Sequence, residues 1–186
     1  LRLLVNSHLV ANKAPVEFDY SDVRPAGAPI KRFGGTASGP EPLRKLHETV
    51  RAILARRVGS KFTVTDIADI GNLIGVCVVA GNVRRSAELM LGDLHDEEFL
   101  GLKDYTSEAG QARAAWSWLS NNSVTASVED DLDAIVPGII QNGEPGVVWL
   151  DMLRGYGRLK DGRNDKDHRV AGVNPCAEQG LESWEM

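Results

Sequence analysis

Residues 174–178 read Asn174-Pro175-Cys176-Ala177-Glu178. Three reactive side chains stand at alternate positions: an amide, a thiol and a carboxylate. In an extended backbone, alternate residues point to the same side. One short loop would then present Asn174, Cys176 and Glu178 to a single small substrate. Each residue alone has a plainer reading. A lone cysteine is more often an inert core residue. Glu178 alone is a solvated carboxylate, and Asn before Pro is a turn former. Cys176, however, follows a proline and stands among polar residues, a poor context for a core strand. These three are the candidate catalytic residues, although their spacing alone names no reaction.

Working outward, the chain has 186 residues, enough for one domain with a sizeable core. With 42% hydrophobic and 25% charged residues it reads as a globular protein. A net charge of −5 argues against nucleic acid or an anionic membrane surface as partner. No apolar run approaches the roughly 18 residues of a membrane span. The N-terminal residues lack the basic-then-apolar pattern of a secretory signal. Two cysteines, Cys77 and Cys176, are too few for a disulfide framework and form no CxxC pair. Both points favour a cytoplasmic setting. The first residue is Leu1 and the last residues carry no terminating signal, so the chain is expected to be a fragment of a longer protein.

Periodicity sketches the elements. Val16, Phe18 and Tyr20 alternate with charged residues and predict a strand. Residues 33–42 form a small-residue loop. Leu43, Leu46, Val50, Ile53 and Leu54 fall on one face of a helix, with Glu41 at its start, Arg56 and Arg57 at its end and Gly59 as a stop. A second helix is expected from about Thr65 to Ala80, with Ile67, Ile70, Ile74, Cys77 and Val78 as its apolar stripe. Alternation over Val83–Leu91 predicts a strand. A helix over 107–119 leads into a strand at Ser120–Ala126. A further helix is expected between Glu129 and Asn142, kinked or split by Pro137 and Gly138. Gly143-Glu-Pro-Gly is a turn, Val147–Leu150 a strand, and 154–169 a polar loop. Alternating helices and strands favour a parallel α/β architecture. No repeat, low-complexity tract or linker interrupts it.

Other candidates carry weaker signals. Ser38 and Gly39 lie in the glycine-rich loop before a helix, where backbone N–H groups can cradle phosphate. The loop matches neither a Walker A nor a dinucleotide fingerprint, and a tight packing turn is the plainer reading. Asn121, Asn122 and Ser123 read either as a strand-end turn or as cavity-lining substrate contacts. Arg84 and Arg85 read as ion-pairing residues before phosphate binders. Cys77 lies on a helical apolar stripe, which favours a structural role. Asp161, Asn164, Asp165 and Asp167 lack EF-hand spacing and a closing bidentate Glu. His8, His47, His95 and His168 are scattered. No metal site is expected.

The motif of 174–178, extended through Gln179 and Leu181-Glu182-Ser183, resembles the active-site finger loop of ribonucleotide reductases. It is most similar to the adenosylcobalamin-dependent, class II ribonucleoside-triphosphate reductases. Asp22–Pro29, Phe33–Pro40, Val78–Ala87, Trp118–Val124 and Gly143–Asp151 resemble further family segments in the same order. The resemblance implies that residues 1–186 are part of a ten-stranded α/β catalytic barrel, with residues 1–18 read as the end of an upstream regulatory segment. It also implies that Cys176 forms a thiyl radical that abstracts the substrate 3′ hydrogen, that Glu178 accepts the 3′-hydroxyl proton, and that Asn174 orients the substrate. The implied cofactor of the full-length enzyme is adenosylcobalamin. The implied partners are a ribonucleotide substrate, a deoxynucleotide effector and a thioredoxin-type dithiol. The family's two redox cysteines have no match in this chain, so the fragment alone is expected to be inactive, and half a barrel is expected to be poorly soluble. Two rival readings stand beside this one. The first is a hydrolase that uses Cys176 as nucleophile with one of the histidines. The second is a nucleotide-binding module that has kept the fold without the chemistry.

Overall fold

A computed structural model describes residues 1–10, 14–31, 34–83, 85–156 and 162–185. They pack as two compact units, Leu1–Ser86 and Ala87–Met186.

The first unit is helical. Helix α1 (Arg2–Leu9) packs on α2 (Glu41–Arg56), and α2 packs on α3 (Val64–Val79). Periodicity did not single out α1, whose one buried residue is Leu4. Helix α2 follows its sequence closely. Pro42 lies in the first turn, where no N–H is missed, and Glu41 and Arg56 suit the dipole at each end. Leu46, Val50, Ile53 and Leu54 are buried along its inner face. Each such aliphatic side chain contributes about 2 kcal/mol on burial.

Helix α3 corrects the expectation. Its boundaries agree with the reading, but its orientation does not. Asp66, Ala68, Asp69, Asn72, Leu73 and Gly75 are buried, while Ile67 is 64% and Val78 41% exposed. The cause is the capping box. Thr63 Oγ1 accepts from Asp66 N at 3.3 Å, and Asp66 Oδ2 accepts from Thr63 N at 3.1 Å. The same carboxylate is fully buried between Arg56, 2.8 Å away, and Arg57. Burial pushes the Asp66 pKa up, but the bonds from Arg56, Thr63 and Arg57 outweigh it and bring it to about 2. A buried ion pair needs its partners close by, and that requirement turns the polar edge of α3 towards α2.

The alternation at 16–20 is real, but it makes no strand. Val16, Phe18 and Tyr20 turn inward while Glu17 and Asp19 face solvent. The segment lies on α2 instead of joining a sheet. Phe18 stacks on His47 with ring centres 3.8 Å apart, and Tyr20 Oη lies 2.9 Å from His47 Nδ1. The small-residue segment 34–39 folds back on 27–30 through Ile30 N–Gly35 O (3.0 Å) and Ala37 N–Ala28 O (2.9 Å).

The second unit is α/β. Strands β1 (Glu88–Asp93), β2 (Ser120–Ala126) and β3 (Gly146–Trp149) form a parallel sheet in that order. Parallel neighbours need crossovers. Helices α4 (Glu97–Leu100) and α5 (Glu108–Arg113) join β1 to β2, and α6 (Val136–Asn142) joins β2 to β3. Strand β1 starts later than predicted, at Glu88, and Arg84 lies outside the described residues. The predicted 107–119 helix breaks after Arg113 and ends in a 3-10 turn at Ser117–Leu119. Pro137 does not kink its helix; it lies in the first turn of α6, which closes on Gly143 at φ 76°.

Helix α7 (Leu150–Gly155), which the reading did not include, takes the last residue of the expected strand and the first two of the expected 154–169 loop. Phe33 and Asp161 of the sequence motifs also lie outside the described residues. Strands β4 (Val170–Val173) and β5 (Gly180–Glu182) then pair antiparallel. Arg154 Nε donates to Val170 O at 2.7 Å and ties α7 to this hairpin. Val124, Ile135, Val148, Val170 and Val173 are among the buried side chains of the unit. Among the described residues, no helix is long and apolar enough to cross a membrane.

Candidate active site

The motif 174–178 is the loop between β4 and β5, and it is not extended. Asn174 shapes it. Its N–H donates to Gln179 O at 3.1 Å, and its carbonyl oxygen accepts from Ala177 N at 2.8 Å. Its side-chain Oδ1 accepts from Glu178 N at 3.0 Å and Gln179 N at 2.9 Å. Asn is suited to this because its short amide reaches backbone donors a few residues on. The turn puts Ala177 at φ 59°, a left-handed conformation that costs an L-residue about 1 kcal/mol. The three side chains therefore do not share one face through period-two alternation. They stand on a side-chain-capped turn.

Cys176 is exposed and a free thiol. With Pro175 and Ala177 it lines a cavity of about 230 Å³, whose other walls include Asn121, Asn122 and Ser123. Two of the three sequence readings converge here. The finger-loop cysteine and the polar half of β2 meet, and Asn121 Nδ2 donates to Pro175 O at 3.4 Å. Asn174 and Glu178 are not among the lining residues. The polar half of β2 is unusual for the middle strand of a parallel sheet, which ordinarily reads as an apolar run. Ser120, Asn122 and Ser123 are all buried, and Ser120 Oγ donates to Asn122 Oδ1 at 2.9 Å. Buried polar groups are kept where they are bonded, and here the bonding leaves an amide and a hydroxyl facing a cysteine.

Ser38 and Gly39 are elsewhere. They line a cavity of about 780 Å³ in the helical unit, together with Arg24, Lys31, Thr36 and Cys77. Gly39 has φ +80°, and a Cβ there would lie 3.0 Å from Ala26 N, so this close turn requires glycine. Cys77 is half-buried on α3, and burial raises its thiol pKa.

Glu144 and Lys103 were missed. Gly143-Glu-Pro-Gly reads as a turn, and nothing in the sequence links it to a lysine 41 residues earlier. In the structure Glu144 lines the Cys176 cavity and Lys103 Nζ donates to its Oε1 at 2.9 Å. No histidine is among the described residues that line this cavity, so the thiol–histidine pair of a hydrolase is not assembled there. Among the described residues, no group of three or more His, Cys, Asp or Glu side chains is placed to hold a metal ion.

Residues 2–54 match the family model described as the B12-dependent ribonucleotide reductase insertion domain. A probable adenosylcobalamin-dependent ribonucleoside-triphosphate reductase of Dictyostelium discoideum is 44% identical over 187 residues, covering 100% of this chain and 24% of that protein. The adenosylcobalamin-dependent ribonucleoside-triphosphate reductase of Euglena gracilis is 46% identical, over 100% of this chain and 25% of the relative. That of Lactobacillus gasseri is 47% identical, over 97% and 24%. A crystal structure of a B12-dependent (class II) ribonucleotide reductase superposes with a TM-score of 0.79 at 42% identity, over 91% of this chain and 23% of that one. Along nearly its whole length the chain is thus similar to B12-dependent, class II ribonucleotide reductases, and it spans about a quarter of the length of the curated relatives it matches.

Proposed function

We propose that the protein to which this chain belongs reduces ribonucleotides, as triphosphates, to 2′-deoxyribonucleotides by a thiyl-radical mechanism. The observation that carries this reading is the Asn174-capped turn, which sets the exposed Cys176 on the wall of a small polar cavity formed by β2. In this reading the chain is part of a ten-stranded α/β barrel, and the β4–β5 loop is its finger.

The chemistry assigned to this chain is local. A thiol S–H bond is weak enough to surrender its hydrogen atom, so the Cys176 sulfur becomes the radical that takes the 3′ hydrogen of the ribose. Glu178 accepts the 3′-hydroxyl proton, which requires hydrogen-bond reach to the bound sugar. Glu178 is exposed and off the cavity wall here, so the bound substrate has to draw the loop inward. Asn174 has committed its Oδ1 to the turn, so an orienting bond to the substrate would come from its NH₂ group. Asn121, Asn122 and Ser123 supply further donors and acceptors to the sugar. Loss of the 2′-hydroxyl as water consumes two electrons, delivered by a thioredoxin-type dithiol that becomes a disulfide. Ser38 and Gly39, beside Arg24 and Lys31, are proposed as a second nucleotide contact in the helical unit. A deoxynucleotide effector is a proposed partner of the whole protein.

Adenosylcobalamin, for which the relatives are named, would supply the initiating radical in the whole protein. The Cys176 cavity is no cradle for it. The Cys176 cavity, at about 230 Å³, is below even the ~300–1,000 Å³ of ordinary small-molecule sites, and a corrin is larger than most of their ligands. No step is assigned to cofactor-binding residues of this chain.

The test is to incubate the full-length gene product with adenosylcobalamin, a ribonucleoside triphosphate and a dithiol, and to measure deoxyribonucleotide. Product should form with the wild type and vanish with Cys176→Ser. Undiminished product from Cys176→Ser would sink the assignment.

A further inference from the structure

The carboxylate that lines the Cys176 cavity is Glu144, not Glu178. It is held by Lys103, whose side chain is only 11% exposed. The ammonium lies 2.9 Å from both Glu144 oxygens. Only Oε1 is aligned for a hydrogen bond, and the buried Oε2 has no hydrogen-bond partner among the described residues. The same ammonium donates to Ser120 O, at the start of β2. One cation thus joins two walls of the cavity, the polar half of β2 and the turn before β3. A third bond fixes the geometry, from Asn142 Nδ2 to Lys103 O at 3.0 Å. There is no slack between the walls: a Cβ on Gly146 would lie 2.7 Å from Ser123 Oγ.

The charge balance matters as much as the spacing. A partly buried carboxylate is tolerable beside an ammonium and costly without one. An unpaired negative charge on this wall would also repel an anionic substrate.

We propose that Lys103 and Glu144 are positioning residues of the Cys176 cavity. The ion pair holds the Asn122–Ser123 stretch of β2 against the Glu144 turn, which lines the Cys176 cavity with it, and it keeps the wall neutral towards a phosphate-bearing substrate. The proposal rests on the ribonucleotide-reductase reading and adds to it a pair that touches neither the radical sulfur nor the finger-loop carboxylate.

The test compares Lys103→Met, Glu144→Gln and the double variant with the wild type, all in the full-length gene product. In Lys103→Met, kcat/KM for deoxyribonucleotide formation should fall about 100-fold, mostly through KM. The double variant carries no orphan charge and should return to within about tenfold of the wild type. A pair that serves stability alone would lower Tm in every variant but leave kcat and KM of the folded enzyme unmoved, and that outcome overturns the proposal. So do equal losses of kcat/KM in the Lys103→Met and double variants. The rate of Cys176 alkylation by iodoacetamide gives a readout independent of turnover. Should the wild type make no deoxyribonucleotide, the reductase reading has failed, and this rate decides the positioning claim alone. A change of about threefold or more in Lys103→Met that the double variant reverses supports it, and an unchanged rate overturns it.

Discussion

The two cysteines of this chain stand on two kinds of hairpin. Cys77 lies on α3 of the helical pair α2–α3, and Cys176 lies in the loop of the β-hairpin β4–β5. Each hairpin is closed by a polar side chain that bonds backbone N–H groups. In the helical pair this is Asp66, fully buried and paired with two arginines. In the β-hairpin it is Asn174, a neutral amide whose Oδ1 accepts from two backbone N–H groups. The buried charge gives the helical pair a strong lock and leaves its cysteine half-covered. The neutral cap gives a loop of set shape whose thiol stays accessible. A stable element and a reactive one thus use the same device at different strengths, since charge-assisted bonds are roughly twice as strong as neutral ones.

The largest effect that separates the two hairpins is catalytic. In the full-length gene product, Cys176→Ser should lower deoxyribonucleotide formation by at least about 1,000-fold, while Cys77→Ser should leave it within about threefold of the wild type. An inactive Cys77→Ser protein that folds normally would remove the distinction.

Next comes the lock of the helical pair. Asp66→Ala strands two arginines and uncaps α3, and it should cost about 3 kcal/mol, read as faster hydrogen exchange at the α3 amides. The pH dependence has a defined sign. Because the Asp66 pKa is depressed from 3.8 to about 2 in the fold, its contribution of about 2 kcal/mol is complete above pH 3.8 and disappears as the pH falls towards 2. Acid titration of the α3 amides should follow that window, and a flat profile would show that the pair does not lock the helices.

A smaller effect is expected at the β-hairpin. Asn174→Ala frees the N–H groups of Glu178 and Gln179, and their exchange should accelerate about tenfold while β2 amides stay protected. The smallest is Ala177→Gly. It relieves the left-handed strain, worth about 1 kcal/mol, against the added freedom of glycine, so loop exchange should change by less than about fivefold.

Much of this was legible in the residues. The boundaries of α2 and α3 could be read because their caps, charges and apolar spacing are local signals. Strand β2 was placed at Ser120–Ala126 as read, and its Asn-Asn-Ser run was already a candidate cavity wall. Other features could not be read locally. Val16, Phe18 and Tyr20 have the right alternation, but whether an extended segment meets a strand or a helix depends on a distant partner, here His47. The outward face of α3 looks like core in isolation, because the helix is apolar almost all round and only the Asp66 lock selects the buried side.

The site divides in the same way. Asn174, Cys176 and Glu178 were singled out because an amide, a thiol and a carboxylate so close in sequence bring their chemistry with them. Their geometry was misread, since a turn capped by its own first residue breaks the alternation that an extended loop would have kept. Lys103 and Glu144 were invisible, because ion pairs carry no sequence periodicity and these two are 41 residues apart. The sequence alone thus determined which chemical groups are present, where α2 and α3 run, and the resemblance to a family of reductases, because composition, capping and motif are short-range properties. Only the tertiary structure decided which groups share a cavity, which face of α3 is buried and which carboxylate stands beside the cysteine. Those depend on contacts between residues far apart in the chain, which no local pattern encodes.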